Sequence, residues 1–103
     1  ENYYLLEILD ALKDFKTIPD LNKKSAITLL KNKLDNLSER DKSKIIQYAL
    51  KYPPRTKALL GAILQLSKKN GQGILKKSLN PLTNYDFRIK KETLPTASKW
   101  NIN

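Results

Sequence analysis

The run Lys51-Tyr52-Pro53-Pro54-Arg55-Thr56-Lys57-Ala58-Leu59-Leu60-Gly61-Ala62-Ile63-Leu64 decides the fold. Tyr52-Pro53-Pro54 interrupts the chain, because proline lacks a backbone N–H and pushes the residue before it out of helical geometry. Pro54 suits the first turn of a new helix, where the missing N–H costs nothing. Beyond it, Leu59, Leu60, Ile63, Leu64 and Leu66 cover most of a helical circumference, as in a helix buried on nearly all sides. The spacing predicts this central helix over 54–68. Ala58, Gly61 and Ala62 form one small-residue strip along it. Gly61 costs about 1 kcal/mol of helix propensity, which a close helix–helix approach would offset. The alternative is a site where a ligand approaches the backbone.

Shorter amphipathic segments flank this helix. Tyr4, Leu5, Ile8, Leu9, Leu12 and Phe15 recur at helical spacing and predict a helix over 2–16, ended by Ile18-Pro19. Asp20-Leu21-Asn22 reads as a connector. A second helix over 23–36 presents Ile27, Leu30 and Leu34. Ser38 caps a third over 39–51, with Glu39 and Asp41 in its first turn, where the helix dipole favours acids. Asp41 is one carbon short for the reciprocal bond of a capping box. Lys68-Lys69-Asn70-Gly71 reads as a helix stop, followed by a short helix over 73–79 that Asn80-Pro81 ends. Tyr85, Phe87 and Ile89 alternate with Asp86, Arg88 and Lys90, which predicts a strand over 85–90. The tail 91–103 is expected to run extended and to dock Trp100 and Ile102 on the helices. The expectation is therefore a mainly α domain, a bundle of four to five helices with a short C-terminal strand or hairpin and an extended tail.

Composition narrows the chemistry. The 103 residues suit one small domain. There is no Cys and no His, which excludes disulfides, thiolate metal sites and the usual general base. The acids lie mostly on solvent faces, no glycine-rich phosphate loop is present, and neither a metal, a cofactor nor an enzymatic activity is expected. No apolar run approaches a membrane span and no signal peptide is visible, so a cytoplasmic protein without membrane contact is expected. The lack of Met and the start at Glu1 within a helical pattern point to a piece of a longer chain.

The net charge of +10 is unevenly placed. Residues 1–40 carry seven acids and seven bases, so the whole excess falls on residues 41–103. Such asymmetry suits a surface for nucleic acid or an acidic partner. The competing reading is a solvated, Lys-rich face. Arg55 and Lys57 stand in the first turn of the central helix, beside free amides that would favour an anion. Alternatively, Arg55 pairs with an internal acid or carbonyl and fixes the Pro-Pro turn. Lys68-Lys69, Lys76-Lys77 and Lys90-Lys91, with Arg88, complete the candidate cations for phosphate or an acidic partner. Tyr85, Phe87 and Trp100 are candidates for a protein interface, in which an exposed strand edge and the tail mediate dimerisation or binding. They do not interleave with the cations as a single-strand stacking platform requires.

Three blocks taken together carry a family resemblance: Leu6-Glu-Ile-Leu-Asp-Ala-Leu-Lys-Asp-Phe-Lys-Thr-Ile-Pro-Asp20, Ala49-Leu-Lys-Tyr-Pro-Pro-Arg-Thr-Lys-Ala-Leu-Leu-Gly-Ala62 and Leu75-Lys-Lys-Ser-Leu-Asn-Pro-Leu-Thr-Asn-Tyr85. With the ending Leu94-Pro-Thr-Ala-Ser-Lys-Trp-Asn-Ile102, they resemble the C-terminal portion of bacterial AbiEi-like antitoxins, a group of presumed transcriptional regulators. Tyr85-Asp-Phe-Arg-Ile-Lys departs from that pattern, where a segment closer to Tyr-Lys-Leu-Gly-Ile is expected. The resemblance implies a regulator whose N-terminal winged helix-turn-helix reads DNA. The C-terminal part would then serve regulation, self-association as a homodimer, or antagonism of a nucleotidyltransferase-type toxin. It implies no catalytic residues.

Overall fold

The computed structural model describes residues 3–66, 72–90 and 92–103. Its helices are α1 (Tyr3–Lys13), α2 (Asp20–Asp35), α3 (Glu39–Ala49), α4 (Pro54–Leu66) and α5 (Gln72–Lys77), with 3-10 turns at Phe15–Thr17 and Ala97–Trp100. The mainly helical expectation holds. The central helix is α4: every residue from Thr56 to Leu64 is buried, and it packs against α1, α2, α5 and the C-terminal 3-10 turn. Leu5, Leu9, Leu12 and Phe15 from α1 and the turn after it, Ile27 and Leu34 from α2, and Ile45 and Ala49 from α3 complete the core around it.

Several boundaries move for physical reasons. The first helix stops at Lys13 and tightens into the 3-10 turn, whose end Ile18 is extended ahead of Pro19. Asp20-Leu21-Asn22 is the first turn of α2 and not a connector: the Asn22 amide donates to Pro19 O at 2.9 Å, and Asp20 sits where the dipole favours an acid. Ser38 caps α3 as expected, its Oγ accepting from the Asp41 amide at 3.1 Å. The Asp41 carboxylate turns away from the cap and accepts from the Tyr4 hydroxyl, tying α1 to α3. Asp10 on α1 likewise accepts from the Tyr52 hydroxyl at 2.8 Å, which fastens the Tyr52-Pro53-Pro54 break.

No strand forms over 85–90 among the described residues. The inward alternation is real, since Tyr85, Phe87 and Ile89 are buried and Phe87 meets Phe15 edge-on at 6.2 Å. Pairing is confined to one parallel bridge, Tyr85 with Ile102. The Tyr85 amide donates to Asn101 O at 2.7 Å, the Asn103 amide to Tyr85 O at 2.9 Å, and the Phe87 and Ile89 amides to Asn103 O. Arg88 ends the ladder. It adopts a left-handed φ of 55°, with its amide on Asp86 Oδ1 at 3.0 Å. Lys23, buried in the first turn of α2, donates to Phe87 O at 2.8 Å and so pins the kink.

The tail docks Trp100 and Ile102 as expected, but it does not run extended: Ala97–Trp100 wind into a 3-10 turn that Asn101 ends at a left-handed φ of 56°. Gly61 faces Trp100 and not another helix: a Cβ there would lie 2.3 Å from the indole ring. Trp100 Nε1 donates to Gln65 Oε1 at 2.7 Å, and Thr96 Oγ1 donates to Ala62 O at 2.6 Å. The small-residue strip is thus a notch for the tail.

Candidate functional site

Three of the clefts that the kinked segment Asn84–Lys90 borders carry cations; a further one, lined by Ile89, Ala97, Ser98, Ile102 and Asn103, carries none. In the first, α2 supplies Lys23 and Lys24, and the segment supplies Arg88 and Lys90; Asp20, Leu21 and Thr93 complete a volume of about 320 Å³. In the second, Lys16 and Arg55 face Asn84, Tyr85, Asp86 and Phe87. In the third, Lys76 and Lys99 flank Tyr85, Trp100 and Asn101. There the Lys76 ammonium lies 5.4 Å from the Trp100 ring centre, a cation–π contact.

The backbone explains this convergence. An extended segment sends alternate side chains to opposite sides. Tyr85, Phe87 and Ile89 anchor it to the core, which leaves Arg88 and Lys90 exposed beside the start of α2. Lys23 is spent on the fold: besides Phe87 O it bonds Asp20 Oδ1 at 2.9 Å. The Asp20 carboxyl is held below its ordinary range, first by the Lys23 hydrogen bond and charge, and further by the charges of Arg88 and Lys90.

The structure redistributes the candidate cations. Arg88, Lys90, Arg55 and Lys76 line the three clefts. Lys77 is exposed on α5 and borders none of these three. Lys68, Lys69 and Lys91 lie outside the described residues. The structure places Arg55 and Lys57 differently at the start of α4. The amides of Thr56 and Lys57 both donate to Pro53 O, at 3.0 and 3.2 Å, so they are not free for an anion. Lys57 is only 8% exposed and Thr56 is fully buried, while Arg55 alone points outward. Arg55 makes no ion pair among the described residues.

Tyr85, Phe87 and Trp100 are also corrected. They are 9%, 1% and 3% exposed, and therefore serve the core instead of presenting an edge to a partner. Sequence reasoning missed Lys16, Lys23, Lys24 and Lys99. The first three fall in the part of the chain whose charges cancel; α2 brings Lys23 and Lys24 beside Arg88 and Lys90, and the 3-10 turn Phe15–Thr17 brings Lys16 beside Arg55. Lys23 left one local trace, its position three residues after Asp20 on one helix face. Among the described residues no group of three carboxylates is placed to hold a metal, and no helix is long and apolar enough to cross a membrane. No protein-family model, curated protein or solved structure matches this chain.

Proposed function

We propose that this is a non-catalytic regulatory domain that contacts the phosphate backbone of nucleic acid, with duplex DNA the expected ligand. The observation that carries the reading is the convergence of cations from α1–α2, α4, α5 and the tail along one segment, Asn84–Lys90. Lys and Arg held by a rigid core around extended backbone suit phosphate contacts, which give sequence-independent affinity. The resemblance to AbiEi-like antitoxins points the same way and adds a nucleotidyltransferase-type toxin as a second partner. The non-catalytic part rests on a sequence without His or Cys. The test is fluorescence anisotropy of a labelled duplex over a salt series. Micromolar binding that falls steeply with salt supports the reading, and no binding at low salt refutes it.

A second reading, a protein-interaction or dimerisation module without nucleic-acid contact, draws on Leu21 and Leu82, which are 95% and 87% exposed. Association through such residues is insensitive to salt, so the same titration, followed by sedimentation, separates the two.

A further inference from the structure

The cleft between the first turn of α2 and the Arg88 kink differs from the other two in depth of charge. It gathers Lys23, Lys24, Arg88 and Lys90 against the single carboxylate Asp20. Its volume is about 320 Å³. Leu21 on its lip is 95% exposed and offers an apolar surface beside the charge. Arg88 holds its side chain there at a left-handed φ of 55°, a conformation that disfavours side chains.

We propose that this cleft is a binding site for a phosphomonoester dianion, the terminal 5′-phosphate of a nucleotide or nucleic-acid strand, with Leu21 against the adjoining sugar or base. A terminal phosphate carries close to two charges near neutral pH, whereas an internal diester carries one. Lys24, Arg88 and Lys90 have no ion pair among the described residues, so they are available to that second charge. Arg88 contributes a planar fork suited to two phosphate oxygens. This inference deepens the nucleic-acid reading by assigning one of its clefts to strand ends.

The test is a titration of the ¹⁵N-labelled chain with a thymidine dinucleotide bearing a 5′-phosphate and with the same dinucleotide bearing a 5′-hydroxyl. The phosphorylated form is expected to bind roughly fivefold tighter or better. The amide shifts should centre on Leu21, Lys24, Arg88 and Lys90. R88Q with K90Q should abolish the preference, while K76Q with K77Q should keep it. D20N, which removes the opposing carboxylate, should tighten binding of the phosphorylated form. Equal affinity for the two dinucleotides, shifts centred elsewhere, or D20N without effect on the preference would overturn the assignment. So would binding to phosphatidate-containing vesicles with no discrimination between the dinucleotides. If salt-sensitive duplex binding persists while this discrimination is absent, the strand-end assignment falls and the backbone-contact reading stands.

Discussion

Substituting Gly61 by Ala reverses the usual sign of a Gly→Ala change in a helix. In an open helical position that change gains about 1 kcal/mol. At position 61 the new methyl would lie 2.3, 2.4 and 2.7 Å from three carbons of the Trp100 ring. Ordinary carbon–carbon contact begins near 3.5 Å, so the indole must retreat by roughly 1 Å. Its Nε1 is bonded at 2.7 Å to Gln65 Oε1, one turn further along the same helix, and a retreat from position 61 pulls on that bond as well. Overpacking of this kind costs about 1–3 kcal/mol, and full expulsion of a buried Trp about 3–5 kcal/mol. Set against the helix gain, the net loss is about 2 kcal/mol, or a Tm lower by roughly 10 °C in a domain of this size. Circular dichroism gives the Tm, and the single Trp gives a direct probe, since its emission should shift to the red. Gly73→Ala on α5 is the internal control. A Cβ there meets nothing within 4 Å, so that variant should be neutral or slightly stabilised. Trp100→Leu should rescue part of the Gly61→Ala loss, because the two changes share one contact. A Tm for Gly61→Ala equal to or above that of the parent would refute the notch.

Three further outcomes follow, two from the Arg88 kink and one from the Tyr52-Pro53-Pro54 break. Lys23→Met removes the charge-assisted bond to Phe87 O, and urea unfolding should show a loss of about 1.5–3 kcal/mol; an unchanged midpoint would mean that the kink holds without it. Arg88→Gly relieves the left-handed backbone and should leave stability unchanged or up to about 1 kcal/mol higher while weakening DNA binding; joint loss of stability and binding would contradict the account of Arg88. Tyr52 is held above its ordinary value of 10.0, first by burial and then by its bond to Asp10. A raised folded-state value favours the neutral phenol, so this contribution is complete below pH 10 and is lost as pH rises through the raised value. Tyr52→Phe should therefore flatten the alkaline side of the stability profile, and an unaltered alkaline fall would exclude Tyr52 as its source.

Helix number and the identity of the buried helix were legible because α4 is apolar on nearly every face and because proline marks its start. The strand was misread for a reason that period-2 alternation cannot reveal. Burial of Tyr85, Phe87 and Ile89 satisfies the pattern, but the backbone turns left-handed at Arg88 once Asp86 and Lys23 claim the neighbouring amide and carbonyl. The role of Gly61 was half visible: a close approach was expected, but its partner is a tryptophan nearly forty positions away, which no local spacing encodes. The cations were read as an imbalance between two parts of the chain. Their grouping depends on tertiary packing, of α2 beside the kink for Lys23 and Lys24 and of the turn after α1 beside Arg55 for Lys16, which the acids near them in sequence hide.

The most direct test of the central claim, that cations gathered along Asn84–Lys90 contact phosphate, is the salt dependence of duplex binding for the parent chain and for Arg55→Gln/Arg88→Gln/Lys90→Gln. The account predicts a steep parental log–log slope that falls by roughly one unit for each phosphate contact removed, with the fold intact by circular dichroism. Equal slopes for parent and triple variant, or a parent that binds no duplex at low salt, would contradict it.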